Sequence, residues 1–287
     1  MRGKKLRSRR PFVIYSFVAA SELIAMFLSI IIPAYNEERR IGQSLDEILR
    51  FLRSQSYKAE VLVINDGSSD STPQIVTDRV EKYQSDGFDL RLITNDPNRG
   101  KGYSVRRGVS EARGEIILFT DADLSSPITE SPKLIAPIAE GQTDVAFGSR
   151  ALNRKLIGVR QSIVRDFGGR VFNFFLRLIT GLEFKDTQCG FKAFRREAAL
   201  PVFRLQSIER FGFDPEVLYI ARKRGLRLAE VPVVWNHADD SKVNYLRDSI
   251  DMMLDLIRIR LRDFAGRYND PSPPVSSEVC RSTESER

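Results

Sequence analysis

The sequence predicts an α/β fold, a mostly parallel sheet with helices on both faces. Three observations carry that prediction. Short β-branched runs alternate with segments of helical period from Leu28 to Ser149, polar turn motifs follow several of the runs, and 42% apolar content across 287 residues suffices for a buried core.

The run Leu28 to Pro33 contains three consecutive isoleucines and suits a strand buried on both faces. Glu37 to Arg53 places Ile41, Leu45, Ile48, Leu49 and Leu52 at helical spacing with charges between them. Glu60 to Ile64 is a second strand, and the turn from Asn65 to Asp70 caps a helix starting near Pro73. Leu90 to Thr94 is a third strand, Gly100 to Gly114 a loop and helix, and Glu115 to Thr120 a fourth strand. Asp144 to Ser149 reads as another. Beyond it, Arg160 to Leu182 mixes basic residues with Val171, Phe172, Phe174, Phe175, Leu178 and Ile179. Asn244 to Arg267 reads as an amphipathic helix with Leu246, Ile250, Met253, Leu254, Ile257, Leu261 and Phe264 in one stripe, flanked by Arg247, Arg258, Arg260 and Arg262. Both helices are expected at a membrane interface, core packing being the alternative, because no stretch after residue 32 is long and apolar enough to span a bilayer.

The N-terminus stands apart. Lys4, Lys5, Arg7, Arg9 and Arg10 precede an apolar run to Ile32 with one charge, Glu22. With Leu28 opening the sheet, Phe12 to Phe27 falls short of the roughly 20 residues a spanning helix needs. Residues 1–27 are therefore a weak anchor, or residues 1–25 are the product of a start codon placed too early, Met26 lying just before the strand. The expected organisation is this segment, a catalytic domain over 28–242, an interface helix over 243–268 and a disordered tail over 269–287. The net charge of +7 favours anionic partners, and the two cysteines, Cys189 and Cys280, imply neither a disulfide framework nor a cysteine zinc site.

Ligands of open α/β sheets bind beyond the carboxyl ends of the strands. Pro33-Ala34-Tyr35-Asn36-Glu37, Asn65-Asp66-Gly67-Ser68 and Asp121-Ala122-Asp123 all fall at such ends. Two carboxylates as close as Asp121 and Asp123 repel unless a cation joins them, which points to Mg²⁺ or Mn²⁺ bridging them to a diphosphate. Lys101, between Gly100 and Gly102 before a helix, sits where backbone N–H groups can meet an anion, a flexible turn being the plainer reading. His237, the single histidine, reads as a loop residue.

These segments, with Val63 to Thr72 and Asn98 to Gly102, resemble the inverting glycosyltransferases of family 2, which implies the Rossmann-like GT-A fold. Gly148-Ser149-Arg150, Asp186 to Lys192, Phe213 to Glu216 and Ser241-Lys242 narrow the likeness to the polyprenyl-phosphate glycosyltransferases, especially the dolichyl-phosphate β-glucosyltransferase branch. The resemblance implies that Pro33, Tyr35, Glu37, Ile64 and Asp66 hold the nucleoside, Asp66 accepting from the base. It assigns Asp121, Ala122 and Asp123 to the diphosphate and metal, and Arg150 and Arg165 to the acceptor phosphate. Lys242 would close over the donor. The plainer readings are a surface arginine paired with Asp144 or Asp166, and a solvated loop lysine. Two positions depart from the pattern. Asn65 stands where the family usually has Asp, and Asn236 where the mannosyltransferase has arginine.

The implied reaction moves a hexose, glucose from UDP-glucose first among the donors, onto a polyprenyl phosphate with inversion, giving a β-linked product. A lipid phosphate is already anionic and needs no base, whereas a sugar hydroxyl does; Asp186 and Asp214 are thus orienting groups rather than required bases. The alternatives are a GDP-mannose donor, a saccharide hydroxyl acceptor, or a catalytically silent peripheral membrane binder. Nucleic acid is not an expected partner. The expected location is the cytoplasmic face of a membrane.

Overall fold

The computed structural model describes residues 26–84, 87–153, 163–236 and 245–269. Seven strands form one sheet: β1 (Leu28–Ala34), β2 (Ala59–Asn65), β3 (Asp89–Thr94), β4 (Ile116–Phe119), β5 (Val145–Ser149), β6 (Lys192–Arg195) and β7 (Leu228–Pro232). Their order is β3-β2-β1-β4-β6-β5-β7. Only β6 runs against its neighbours, β4 and β5; the other pairings are parallel. The helices are α1 (Ile41–Arg53), α2 (Thr72–Gln84), α3 (Lys101–Glu111), α4 (Ser131–Ala139), α5 (Ile163–Thr180), α6 (Arg196–Leu205), α7 (Phe213–Lys223) and α8 (Tyr245–Phe264).

The period of two along a strand divides the core between the faces of the sheet. Ile30, Ile32, Val61, Val63, Ile116 and Leu118 pack with Ile41, Leu45 and Ile48 of α1, Val76 of α2 and Leu134 of α4. Their neighbours Ile31, Leu62, Ile64, Ile117 and Phe119 point the other way, against α3, α6 and α7. The continuous apolar runs are thus the signature of strands covered on both sides. Met26 and Phe27 extend this frame. The Met26 and Phe27 carbonyls accept from the Glu115 and Ile116 N–H groups, and the Phe27 ring lies 4.8 Å from that of Tyr57.

α5 and α8 pack together on the second face. Phe172 and Leu176 of α5 and Leu256 and Ile259 of α8 enter the core. The opposite side of each helix carries Phe174, Phe175 and Leu178, and Ile250, Leu254, Ile257, Leu261 and Phe264, all exposed, Phe264 to 79%. The exposed members of the α8 stripe are therefore not core residues, whereas Met253 is partly buried against it. Among the described residues no helix is long and apolar enough to cross a membrane.

Candidate active site

The site grows from the carboxyl ends of β1, β2, β4 and β5. After β1, Asn36 adopts a left-handed conformation (φ 54°). Its N–H donates to Ser68 Oγ at 2.9 Å and its Oδ1 accepts from the Ser69 N–H at 2.8 Å, which ties the first motif to the second. The Glu37 N–H donates to Thr72 Oγ1 at 2.7 Å, and Arg40 Nε donates to Glu37 Oε2 at 2.7 Å. Pro33 is half-buried and Tyr35 exposed beside them, so both present surface. The Ile64 side chain is fully buried in the core, which leaves its backbone as the part facing the strand end.

Asp66 is 3% exposed. Its Oδ1 accepts from Asn95 Nδ2 at 2.8 Å and from the Arg99 N–H at 3.1 Å, and its Oδ2 accepts from the Gly100 N–H at 2.6 Å. Asn98 Nδ2 donates to the Asp66 carbonyl at 2.8 Å. The loop before α3 is thus folded around this one carboxylate.

At the end of β4, Lys101 Nζ lies 2.5 Å from Asp121 Oδ1. Burial acts to lower the Lys101 pKa, yet Asp121, Asp214 and Asp123 together hold the ammonium above the ordinary lysine range. Asp123 Oδ1 accepts from the Ser125 N–H at 2.9 Å, with Arg40 3.7 Å from its Oδ2. Ala122 is buried and its carbonyl accepts from Ser44 Oγ at 2.6 Å, fixing the turn between the two carboxylates. A Cβ on Gly190 would collide with the Asp121 carboxylate, so a side chain there would displace it.

After β5, Asp186 accepts from the Arg150 N–H at 3.0 Å, from Nε at 2.6 Å and from an Nη2 hydrogen at 2.8 Å. Arg150 therefore pairs with Asp186, while Asp144 is held by Arg227. Burial would raise the Asp186 pKa, but Arg150 pulls it below the usual carboxylate range; Arg150 in turn is raised. The fork uses two of the five guanidinium N–H donors and leaves three. The Trp235 ring sits 5.6 Å from the guanidinium carbon, and the Asn236 N–H donates to the Ser125 carbonyl at 2.8 Å, bringing the segment after β7 to the Asp123 turn.

Beneath lies a buried pair, Lys192 with Asp214, in which Lys192 also donates to the Cys189 carbonyl at 2.5 Å. Burial, followed by the Asp186 charge, pushes the Cys189 thiol up to about 11, which keeps it unreactive. Sequence reasoning missed Arg40 and Trp235, and gave no role of its own to Lys192, the last residue of the motif from Asp186. Lys192 carried the readable signal, a charge inside the apolar run from Phe191 to Phe194. The Arg165 side chain, His237 and Lys242 lie outside the described residues.

The family model for glycosyl transferase family 2 matches residues 29–203. The chain belongs to glycosyltransferase family 2. This glycosyltransferase is 38% identical over 251 residues to a dolichyl-phosphate beta-glucosyltransferase of Dictyostelium discoideum, covering 84% of this chain and 76% of that protein. The human protein of the same name is 37% identical over 251 residues, covering 84% and 77%. Among solved structures it resembles glucosyl-3-phosphoglycerate synthase from Mycobacterium tuberculosis in complex with Mn²⁺, UDP and glucosyl-3-phosphoglycerate. The TM-score is 0.58 with 21% identity, over 86% of this chain and 81% of that one, a likeness of fold.

Asp121 and Asp123 stand at the end of β4 with partly exposed carboxylates. Among the described residues no group of three or more His, Cys, Asp or Glu gathers as a closed metal cage. Two carboxylates completed by diphosphate oxygens and water are the donor set that Mg²⁺ and Mn²⁺ take in nucleotide sites, so the residues present fit such an ion.

Proposed function

We propose that this glycosyltransferase transfers glucose from UDP-glucose to a polyprenyl phosphate, with inversion, at the surface of a membrane. One observation carries the reading: two phosphate-binding arrangements share one row of strand ends. Asp121, Asp123 and Lys101 at the end of β4 suit a metal-bound diphosphate, and Arg150, held by Asp186 just after β5, suits a second phosphate. The names of the relatives supply the sugar and the lipid for this chemistry, and the neighbouring synthase, solved with UDP and Mn²⁺, supplies the nucleotide and the ion.

In this reading Pro33, Tyr35, Glu37 and the Ile64 backbone receive the nucleoside, and Arg165 and Lys242 join the acceptor and donor sides. Arg150, held from behind by Asp186, offers its remaining donors to the acceptor phosphate and orients one oxygen toward the anomeric carbon. That oxygen is already anionic and no side chain has to remove a proton. A bound Mg²⁺ or Mn²⁺ supplies charge stabilisation for the leaving diphosphate. Lys101 adds a positive charge at the same end, where it is worth most as negative charge develops. Attack opposite the leaving group inverts the centre, so an α-linked donor gives a β-linked lipid.

The exposed apolar faces of α5 and α8 supply the contact with the bilayer that holds the acceptor. Arg258 and Arg262 flank the α8 stripe and favour anionic headgroups by about 1 kcal/mol each. In this reading the protein works on the cytoplasmic face, held peripherally or with a weak N-terminal anchor. The test is a donor screen with radiolabelled UDP-glucose, GDP-mannose and other nucleotide sugars against polyprenyl phosphate, extracting product into organic solvent. Label from UDP-glucose in a Mg²⁺- or Mn²⁺-dependent, acid-labile lipid supports the reading. Transfer only from GDP-mannose, or only to a saccharide hydroxyl, overturns it.

A further inference from the structure

We infer that Lys192 is a positioning residue for the transfer step: through the Cys189 carbonyl it holds the segment 186–190 between Asp121 and Arg150, and so sets the gap between leaving diphosphate and attacking phosphate. The inference rests on the lipid-phosphate reading above and adds to it a residue that touches neither substrate.

The topology puts this segment where the two halves of the site meet. β6 runs against both its neighbours and lies between β4, which leads to Asp121, and β5, which leads to Arg150. Its first residue, Lys192, stands opposite Phe119 at the end of β4 and opposite Phe147 of β5. Because β6 is antiparallel, the chain entering it crosses the edge of the sheet at which β4 and β5 end. The Phe191 carbonyl accepts from the Gly148 N–H at 2.8 Å, which fastens the crossing to β5.

Each part of the crossing has its own attachment. Asp186 takes the Arg150 fork, and the Lys185 and Asp186 N–H groups donate to Glu230 of β7 at 3.0 and 2.8 Å. Gly190 lies so close to the Asp121 carboxylate that a Cβ would collide with it. Between these contacts Lys192 ties the chain inward, its Nζ donating to the Cys189 carbonyl at 2.5 Å and to Asp214. The lysine is fully buried, with its ammonium 5.5 Å from the centre of the Phe119 ring. For stability alone an apolar side chain would serve the middle of a sheet as well, since a buried ion pair roughly offsets its own desolvation. What the ammonium supplies is geometry. One group with three donors fixes a loop carbonyl and a carboxylate of α7 relative to the sheet, and that carbonyl adjoins the residue bearing on Asp121.

Without the ammonium, Asp121 still has Lys101 and Arg150 still has Asp186, so each half keeps the partners with which it takes its own ligand. Their spacing is what loosens, and a misplacement of about 1 Å costs on the order of a hundredfold in rate. Lys192→Met is therefore expected to lower kcat about ten- to hundredfold with UDP-glucose, Mg²⁺ and a short, soluble polyprenyl phosphate. The KM of that acceptor, and UDP affinity by calorimetry, should stay within about threefold of wild type, so that kcat and kcat/KM fall together. Hydrogen exchange at 186–191 should quicken while β4 and β5 keep their protection. All readings are taken below the onset of melting, on protein that circular dichroism shows to be folded. Should Lys192→Met unfold, Lys192→Gln carries the same comparison, its amide keeping a hydrogen bond for Asp214 but ending too short to hold the Cys189 carbonyl as well. A wild-type kcat in the folded variant, with only the melting temperature lowered, overturns the inference and leaves Lys192 to the fold alone. Loss of UDP affinity or of acceptor KM as large as the loss of kcat overturns it by making Lys192 part of one binding half, and unchanged exchange at 186–191 overturns the route through the segment. Absence of lipid-linked product from the wild-type chain overturns the acceptor reading and this inference together, whereas the variant outcomes bear on Lys192 alone.

Discussion

At the scale of single residues, the carboxylates divide by what already holds them. Asp123 accepts one backbone N–H and otherwise faces Arg40 at 3.7 Å, an arrangement that a divalent ion can enter without unfolding anything. Asp123→Asn should therefore leave the melting temperature nearly unchanged while lowering turnover about a hundredfold or more, because the ion's charge stabilisation is worth several kcal/mol. Undiminished activity in the presence of a chelator would place the charge stabilisation elsewhere. Asp186 is different, since its carboxylate already accepts from the Arg150 fork and backbone and from the Gln188 N–H at 3.2 Å. Arg150→Ala leaves that carboxylate in a largely buried place without its cation, a loss of about 3 kcal/mol. It should also depress transfer to a short, soluble lipid phosphate, where membrane affinity plays no part. Adding Asp186→Asn should recover stability in thermal melts but not transfer. If the double variant recovers transfer too, Arg150 serves the fold and the acceptor phosphate binds elsewhere.

At the scale of elements, α8 carries the sharpest test. Ile257 and Leu261 are exposed, whereas Leu256 and Ile259 on the other side of the same helix are fully buried. Serine at both exposed positions should leave circular dichroism and transfer to a soluble acceptor intact. Liposome binding should fall by two or more orders of magnitude, since each side chain contributes at most about 1.5 to 3 kcal/mol of apolar burial. Loss of fold instead would make the stripe part of the core. The helix itself was legible from its period, as were the strands whose runs are unbroken, Leu28 to Pro33 and Ile116 to Phe119. β6 and β7 were not. β6 places Lys192 fully inside the protein, where Asp214 and the Cys189 carbonyl satisfy its charge, so a charge interrupts the short apolar run that would have marked the strand. β7 is an edge strand whose residues are only half-buried, and it lacks the apolar run that marks the others. In the site, strand-end motifs were legible because they are contiguous. The Arg150–Asp186 fork and the Lys101–Asp121 pair join residues distant in sequence, and spacing holds no record of them.

At the scale of the whole molecule, the two edges of the sheet do different work. The carboxyl edge gathers Asp66, Asp121, Asp123 and Arg150, while the amino edge is fastened by Glu60, fully buried at the start of β2. Glu60 accepts from Ser29 Oγ at 2.6 Å, from the Arg113 N–H at 2.6 Å and Nε at 2.9 Å, and from Arg91 at 2.8 Å, joining β1, β2, β3 and the turn before β4. Six residues of extended chain separate Glu60 from Asp66, or ~20 Å, so the fastening and the chemistry are independent. Burial would raise the Glu60 pKa, but Ser29, Arg113 and Arg91 lower it below the usual range; Asp144, Asp186 and Asp263 are lowered too, and Asp255 is raised by burial. A lowered folded pKa gives stability that is present above the unfolded pKa and lost as pH falls through the folded one. Asp255 acts in the opposite sense, gaining on acidification, and is outnumbered. The melting temperature should thus be flat from pH 8 to about 5 and fall steeply below about 4, where unfolded carboxylates take up protons. Glu60→Gln separates this cause from general charge repulsion. At pH 7 it should cost about 2 to 3 kcal/mol, the worth of charged hydrogen bonds in a buried site, and it should flatten the acid slope because its contribution no longer titrates. The folded variant should keep wild-type UDP affinity, since nothing at the carboxyl edge depends on Glu60. Melts that stay parallel to wild type from pH 5 to 3 would assign the acid lability to other carboxylates, and a loss of UDP affinity in folded Glu60→Gln would show the two edges to be coupled.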